Sequence, residues 1–329
     1  MNPCTQALVA IPDARPDIRP MAGRSSLWGI SPTAPIHLGL DPLIILQKAY
    51  AGRGVRHTVL LADYHAMMSH GFPVEEVNRR SHYYETYLRH CCGLDAAYVQ
   101  GSSHQTSSAY VEALYAASCK LPISRIKQSL ARAAKGPEAD SKALSLYLYG
   151  IMQCLDCCYL GADLVIAEQG QKKIYDLLKF VCRDGRWECP EFIYLPLACD
   201  IVGRPLNQST AKTRISIHES RESLARKIHR MYAPPGDAGT PPNPLLECFK
   251  HSVFPWRAGS IVVSDTSNRE RRYGNYREFE QEYHRGLLHP NDCKAALEGY
   301  LWQRLERIDG RMGTEVRSWV ELDKARGGA

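Results

Sequence analysis

Three short apolar runs, separated by stretches of helical periodicity, constrain this chain more than any other feature. Residues 26–31 read Ser-Leu-Trp-Gly-Ile-Ser and are closed by Pro32; residues 57–63 read His-Thr-Val-Leu-Leu-Ala-Asp; residues 96–102 read Ala-Ala-Tyr-Val-Gln-Gly-Ser. Runs this short and this apolar suit strands covered on both faces, the usual condition of parallel strands. Between them lie LDPLIILQKAY and EEVNRRSHYYETYLRHCC, whose apolar positions fall at helical spacing. Strand, helix, strand, helix, strand predicts an α/β fold with a doubly wound parallel sheet of the Rossmann type. After a helical stretch over 107–147, YGIMQCLDCCYLGADLVIA predicts a helix running into another strand, a helix starts near Gln171, and ECPEFIYLPLA supplies a further strand. From Ser220 onward the pattern is mainly helical, broken by the Pro/Gly-rich loop 234–244, and the last helix runs from Asn291 to Met312.

Composition removes several classes of function. Of 329 residues, 44% are apolar and 23% charged, which suits a globular chain and neither a disordered nor a fibrous one. No apolar run approaches the ~18 residues of a membrane span, so no membrane association is expected. Lys and Arg total 41 against 35 Asp and Glu, a formal charge of +6 that suits a nucleic acid or polyphosphate partner without establishing one. Residues 1–25 carry Arg15, Arg19 and Arg24 among prolines but lack the apolar core of a signal peptide; they read as a flexible leader on a cytoplasmic protein. The twelve cysteines then read as reduced, mostly buried thiols. Cys154, Cys157 and Cys158 are tightly spaced, but zinc needs a second matching pair, and Cys182, Cys189 and Cys199 are too far apart to form one.

Polar residues are spent oddly in three places. Beyond Pro32, the turn Ile36-His37-Leu38-Gly39 opens a helix. Free N–H groups and a glycine there would admit a polyphosphate, and an ordinary strand-to-helix turn would look the same. On the helix from Tyr149, residues Tyr149, Gln153 and Asp156 share one face with apolar neighbours nearly all round. Buried Gln and Asp need partners, either in an internal network or in a pocket for a small polar ligand. Ser209-Thr210-Ala211-Lys212 is a hydroxyl-rich loop with a lysine, suited to closing over phosphates or to a solvated turn.

Set in order, SPTAPIHLG, VLLADYHAMM, the long segment YLYGIMQCLDCCYLGADLVIAEQGQKKIYDLL, NQSTAK, ARKIHRMYAPPG and LHPNDCKAAL resemble a class I aminoacyl-tRNA synthetase, specifically the compact archaeal and eukaryotic tyrosyl-tRNA synthetases. The resemblance runs from about residue 26 to 312, and the ordered succession carries it. It implies a Rossmann-type catalytic domain over 26–212, with a helical insertion and dimer interface at about 103–148, and a mainly helical anticodon-binding-like domain over 213–329. It implies that ATP and Mg2+ are used to form an aminoacyl-adenylate, which is then transferred to tRNA. Pro32, His37, Gly39, Ser209 and Lys212 would sit on the ATP, with His37 and Lys212 catalytic; His37 and Gly39 match the HIGH signature, and 207–212 lies where KMSKS belongs. Tyr149, Gln153 and Gln171 match residues that hold the substrate amine, and Asp156 the aspartate that binds the tyrosine hydroxyl. His251 and Asp292 would contact the first anticodon base. Arg125, Lys127, Arg132 and Lys135 would lie along the acceptor arm, or else form a solvated helix face.

The departures from the family pattern lie in the catalytic core. Leu40 replaces the second histidine of HIGH, Asn207 the first lysine of KMSKS, and Gln208 its methionine. Such groups act on the transition state, so their loss slows adenylation more than it weakens ATP binding. In the amino-acid pocket, with Gly29, Leu27 stands where the family has the tyrosine that pairs with the substrate hydroxyl, and Ser31 where it has a glutamate. This predicts weaker selection of tyrosine or a larger, modified aromatic amino acid. Two other readings stay open: a specialised ligase passing the aminoacyl group to a small molecule or peptide, and a non-catalytic RNA-binding relative.

Overall fold

The computed structural model describes residues 22–130, 144–183, 186–208, 210–236 and 242–326. The leader up to residue 21, Arg132, Lys135 and Ser209 therefore lie outside the described residues. Five parallel strands form the central sheet: β1 (Ser25–Ile30), β2 (Arg56–Leu61), β3 (Ala97–Gln100), β4 (Leu164–Glu168) and β5 (Glu191–Leu195). Each apolar run expected to be a strand is one. Their order is β3-β2-β1-β4-β5, so the winding reverses between β1 and β4. Such a reversal opens a crevice at the carboxyl ends of the two strands, where ligands bind in open α/β sheets.

The strands explain why both faces are covered. Leu27, Leu60, Val165 and Ala167 point to one face, and Trp28, Val59, Leu61, Leu164 and Ile166 to the other, the two-residue alternation of a pleated strand. Helices α1 (Asp41–Ala51), α2 (Asp63–His70) and α3 (Val74–Thr86) belong to the first half. The insertion folds as α4 (Ser102–Gln105), α5 (Ser108–Ser118) and α6 (Ile123–Leu130), and α7 (Leu144–Tyr159) leads back to β4. Short helices α8 (Lys172–Tyr175) and α9 (Leu178–Val181) join β4 to β5. Asp63, the acid that ends the second apolar run, is buried and ties β2 to the turn after β3, accepting from Ser102 N at 2.9 Å and Ser102 Oγ at 2.5 Å.

Beyond residue 212 come α10 (Arg221–His229), α11 (Pro244–Cys248), α12 (Tyr276–His284) and α13 (Pro290–Arg326). The helical backbone of α13 breaks at Gly313, φ 74°, one residue past the expected end at Met312. Glycine adopts this left-handed conformation without a Cβ clash. Leu224, Phe249, Phe279, Leu297, Leu305 and Met312 join Trp28 and Ile36 in one continuous core, so the chain after residue 212 completes what the sheet begins. This mainly helical part also holds a hairpin of β6 (Ile261–Ser264) and β7 (Glu270–Tyr273). Four-residue strands are too short to display alternation. Tertiary bonds from α13 hold this one, with Val262 N donating to Tyr300 Oη at 2.7 Å.

Candidate active site

Leu27, Gly29 and Ser31 project from the same face at the end of β1. They meet Leu60 and Ala62 from β2, His65 from α2, Tyr149, Gln153, Asp156 and Cys157 from α7, and Gln171 and Tyr175 beyond β4. Together they enclose a pocket of about 420 Å3, mouth included, at the sheet's switch point. The residues assigned to the amino acid from sequence (Leu27, Gly29, Tyr149, Gln153, Asp156 and Gln171) thus line one cavity. A Cβ placed on Gly29 would meet nothing within 4 Å, so the glycine adds open space to that wall.

At the closed end, Asp156 is buried and heavily solvated by protein donors. Tyr110 Oη donates to Oδ1 at 2.7 Å, Gln105 Nε2 reaches Oδ1 and Oδ2 at 3.0 and 2.9 Å, and His104 Nε2 lies 3.2 Å from Oδ1. Burial and the adjoining carboxylate push the Tyr110 phenol far above its ordinary range, so it stays a donor. His65 Nε2 stands 3.8 Å from Oδ2, too far for a hydrogen bond, and burial holds its pKa below 6.5 against the pull of Asp156 and Asp63. Oδ2 therefore keeps room for one donor from a ligand. Sequence reasoning missed His65, His104, Gln105 and Tyr110. The short helix after β3 reads as the start of the insertion, and only its packing against α7 turns it toward Asp156.

At the other end of the crevice the two signature-like segments lie side by side. Leu38 N donates to Ile215 O at 3.1 Å and Ile217 N to Ile36 O at 3.0 Å, an antiparallel bridge between His37 and Ser216. His37 caps the turn Leu38–Leu40, its Nδ1 accepting from Gly39 N at 3.2 Å. A Cβ on Gly39 would fall 2.0 Å from Leu206 Cδ1, so glycine lets the loop before Lys212 close onto this turn. Pro32 is buried; Leu40, in place of the second histidine, packs in the core; Asn207 and Lys212 are exposed. Arg214, unremarked in the sequence, lines the cleft beside Leu38 and Gly39.

Burial, then Arg214, pushes the His37 pKa down to about 3, so the ring is neutral at physiological pH. A depressed folded pKa means the unfolded chain binds the proton first as pH falls. Stability from this group is whole above the unfolded value near 6.5 and drains away toward pH 3. His37→Gln is expected to flatten that part of an acid-unfolding curve recorded by circular dichroism.

His251 sits in the cleft with Leu38, Pro42, Thr213 and Arg214, paired to Glu247 Oε2 at 3.3 Å. Its neighbour Ser252 is held at the level of Arg304, whose Nη1 donates to Ser252 O at 3.1 Å. Asp292 is twelve residues earlier on α13, about 18 Å along the helix at 1.5 Å per residue. Residues 249–253 turn inward toward α1. The hairpin, with exposed Arg269, Arg271 and Arg272, projects on the α13 side instead.

The cysteine cluster is packing. Cys154 and Cys157 are buried with their thiol pKa raised by burial, Cys154 donates to Ile174 O at 3.2 Å, and Cys158 faces Cys182 at 3.7 Å. Among the described residues no His/Cys/Asp/Glu group could hold a metal ion, and no helix is long and apolar enough to cross a membrane.

A doubly wound sheet with a polar pocket at its switch point, a His-x-Gly turn above it and a cationic loop across from that turn defines a class I synthetase catalytic core. The chain matches the family of class I tRNA synthetases (W and Y) over residues 24–306 and belongs to it. It is 30% identical over 275 residues to the tyrosine–tRNA ligase of Methanospirillum hungatei, covering 82% of this chain and 84% of that one. It is 31% identical over 297 residues to the tyrosine–tRNA ligase of Halorubrum lacusprofundi, covering 85% and 88%. The crystal structure of tyrosyl-tRNA synthetase complexed with L-tyrosine from Archaeoglobus fulgidus superposes with a TM-score of 0.78 at 29% identity, covering 88% of this chain and 90% of that one.

Proposed function

We propose that this protein activates tyrosine, or a ring-modified relative of it, with ATP and transfers the aminoacyl group to tRNA. The observation that carries the reading is the pocket that joins Tyr149, Gln153 and Gln171 to Asp156. The first three hold the amine and Asp156 the ring substituent. The amino-acid carboxylate is then directed at the α-phosphate near His37 and Gly39. Magnesium, bound with the ATP phosphates, would neutralise their charge. Leu27 leaves the ring hydroxyl one partner short, which favours weaker selection of tyrosine or a larger ring. Asp292 and the basic hairpin would meet tRNA, and a cytoplasmic location follows from that partner.

The test is amino-acid-dependent exchange of pyrophosphate into ATP, run over tyrosine, phenylalanine, tryptophan and ring-substituted tyrosines, with and without tRNA. Exchange with one aromatic amino acid supports adenylation; none with any of them, in folded protein, overturns it.

A homodimer through the insertion belongs to the same reading. Tyr115, Ile123 and Leu144 there are 66%, 64% and 74% exposed, three large apolar side chains on one insertion. Large apolar side chains left exposed along one segment suit an association surface. Tyr115→Glu together with Ile123→Asp is expected to convert a dimer to a monomer in analytical ultracentrifugation.

A further inference from the structure

We propose that Arg214 supplies the phosphate-binding charge that Asn207 no longer provides and stabilises the departing pyrophosphate; this rests on the adenylation reading above. Arg214 lines two adjoining clefts, one with Leu38, Gly39 and Leu206, the other with Pro35, Lys212, Arg226 and Arg230. Its backbone is fixed on three sides. Arg214 N donates to Thr210 O at 2.9 Å, Lys227 Nζ donates to Arg214 O at 2.6 Å, and the next residue, Ile215, accepts from Leu38 N at 3.1 Å. Lys212, by contrast, is exposed on the turn before it.

The charge balance points to an anion. Each carboxylate lining these clefts is already engaged: Asp200 with Arg204 at 3.1 Å, Glu247 with His251 at 3.3 Å, and Glu219 with Lys227. Lys212, Arg214 and Arg230 make no ion pair among the described residues, while Arg226 acts on Glu222, which does not line the clefts. A half-buried guanidinium beside a His-x-Gly turn, with no carboxylate to neutralise it, suits a phosphate, which arginine binds through paired N–H groups.

In the reaction a carboxylate oxygen of the amino acid forms a bond to the α-phosphorus of ATP. The bond from that phosphorus to the bridging oxygen breaks, and its electron pair leaves on pyrophosphate. The negative charge that builds on the leaving group is what Arg214 meets. Loss of a donor that acts on developing charge lowers rate more than affinity.

Two measurements test this. In single-turnover adenylate formation, Arg214→Ala is expected to lower the rate by about 10²–10³-fold with little change in KM for ATP, and Arg214→Lys to recover part of it. In calorimetry with inorganic pyrophosphate as the probe, the wild-type chain binds and Arg214→Ala loses about tenfold or more in affinity. Equal rates for wild type and Arg214→Ala overturn the proposal, as does a loss that Arg214→Lys does not relieve and that appears in KM alone. If the wild-type chain activates no amino acid, the adenylation reading fails and calorimetry alone decides: no pyrophosphate binding, or equal binding by Arg214→Ala, overturns the role of Arg214.

Discussion

Asp156→Ala is expected to erase the preference for a hydroxylated ring. A hydrogen bond to a charged group contributes about 1.5–3 kcal/mol, so the ratio of kcat/KM for tyrosine over phenylalanine should fall by roughly 10–10²-fold. Leu27 and Leu60 on the same pocket are apolar and cannot replace the carboxylate as acceptor. Pyrophosphate exchange with both amino acids measures the ratio. An unchanged ratio would remove Asp156 as the reader of the ring. The same change orphans Tyr110, Gln105 and His104, all now bonded to this carboxylate. Each buried group left unpaired costs about 1–3 kcal/mol, so thermal stability should also drop. Asp156→Asn keeps the shape and two of the acceptor positions, and separates loss of selectivity from loss of fold.

Arg304→Ala is expected to destabilise the protein by about 3–5 kcal/mol, the usual result of leaving a buried charge without its partner. Asp41, first residue of α1 and buried, accepts from Arg304 Nη1 at 2.5 Å, from Nη2 at 2.7 Å and from Ser252 Oγ at 2.7 Å. Trp256 lies under the guanidinium at 4.0 Å from its ring centre. The pair joins α13 to the helix that begins directly after Gly39 and Leu40, so Arg304→Ala should slow adenylation as well. Urea unfolding gives the first effect and pyrophosphate exchange the second. Replacing both partners with apolar residues, as in Asp41→Leu with Arg304→Met, should lose less than either single change, since no charge is stranded. A single mutant as stable as wild type would show the pair to be dispensable.

Both predictions rest on buried groups that differ in how far the sequence exposes them. Asp156 stands out because a carboxylate among Ile151, Met152, Leu155 and Leu160 has no solvated neighbours to share, and helical spacing puts it on the face of Tyr149 and Gln153. Arg304 does not stand out. It lies in a helix that carries many charges, and its partner is 263 residues away. Arg214 is likewise one arginine in a basic stretch until the bridge between His37 and Ser216 places it against Gly39.

The five strands, their parallel winding and the polar face of α7 were determined by the sequence itself. They depend on local periodicity and on runs of apolar residues, which survive without knowledge of distant contacts. Helical spacing made the shared face of Tyr149, Gln153 and Asp156 readable, while Leu27, Gly29 and Gln171, which line the same pocket, came from the family resemblance. Tertiary structure alone decided the rest: the turn of His104 and Gln105 onto Asp156, the inward position of His251, the hairpin held by Tyr300, and the Asp41–Arg304 pair. Each of these depends on hydrogen bonds or charge pairs between segments remote in the chain. Their geometry is set by how helices pack on the sheet, and no local pattern of residues records it.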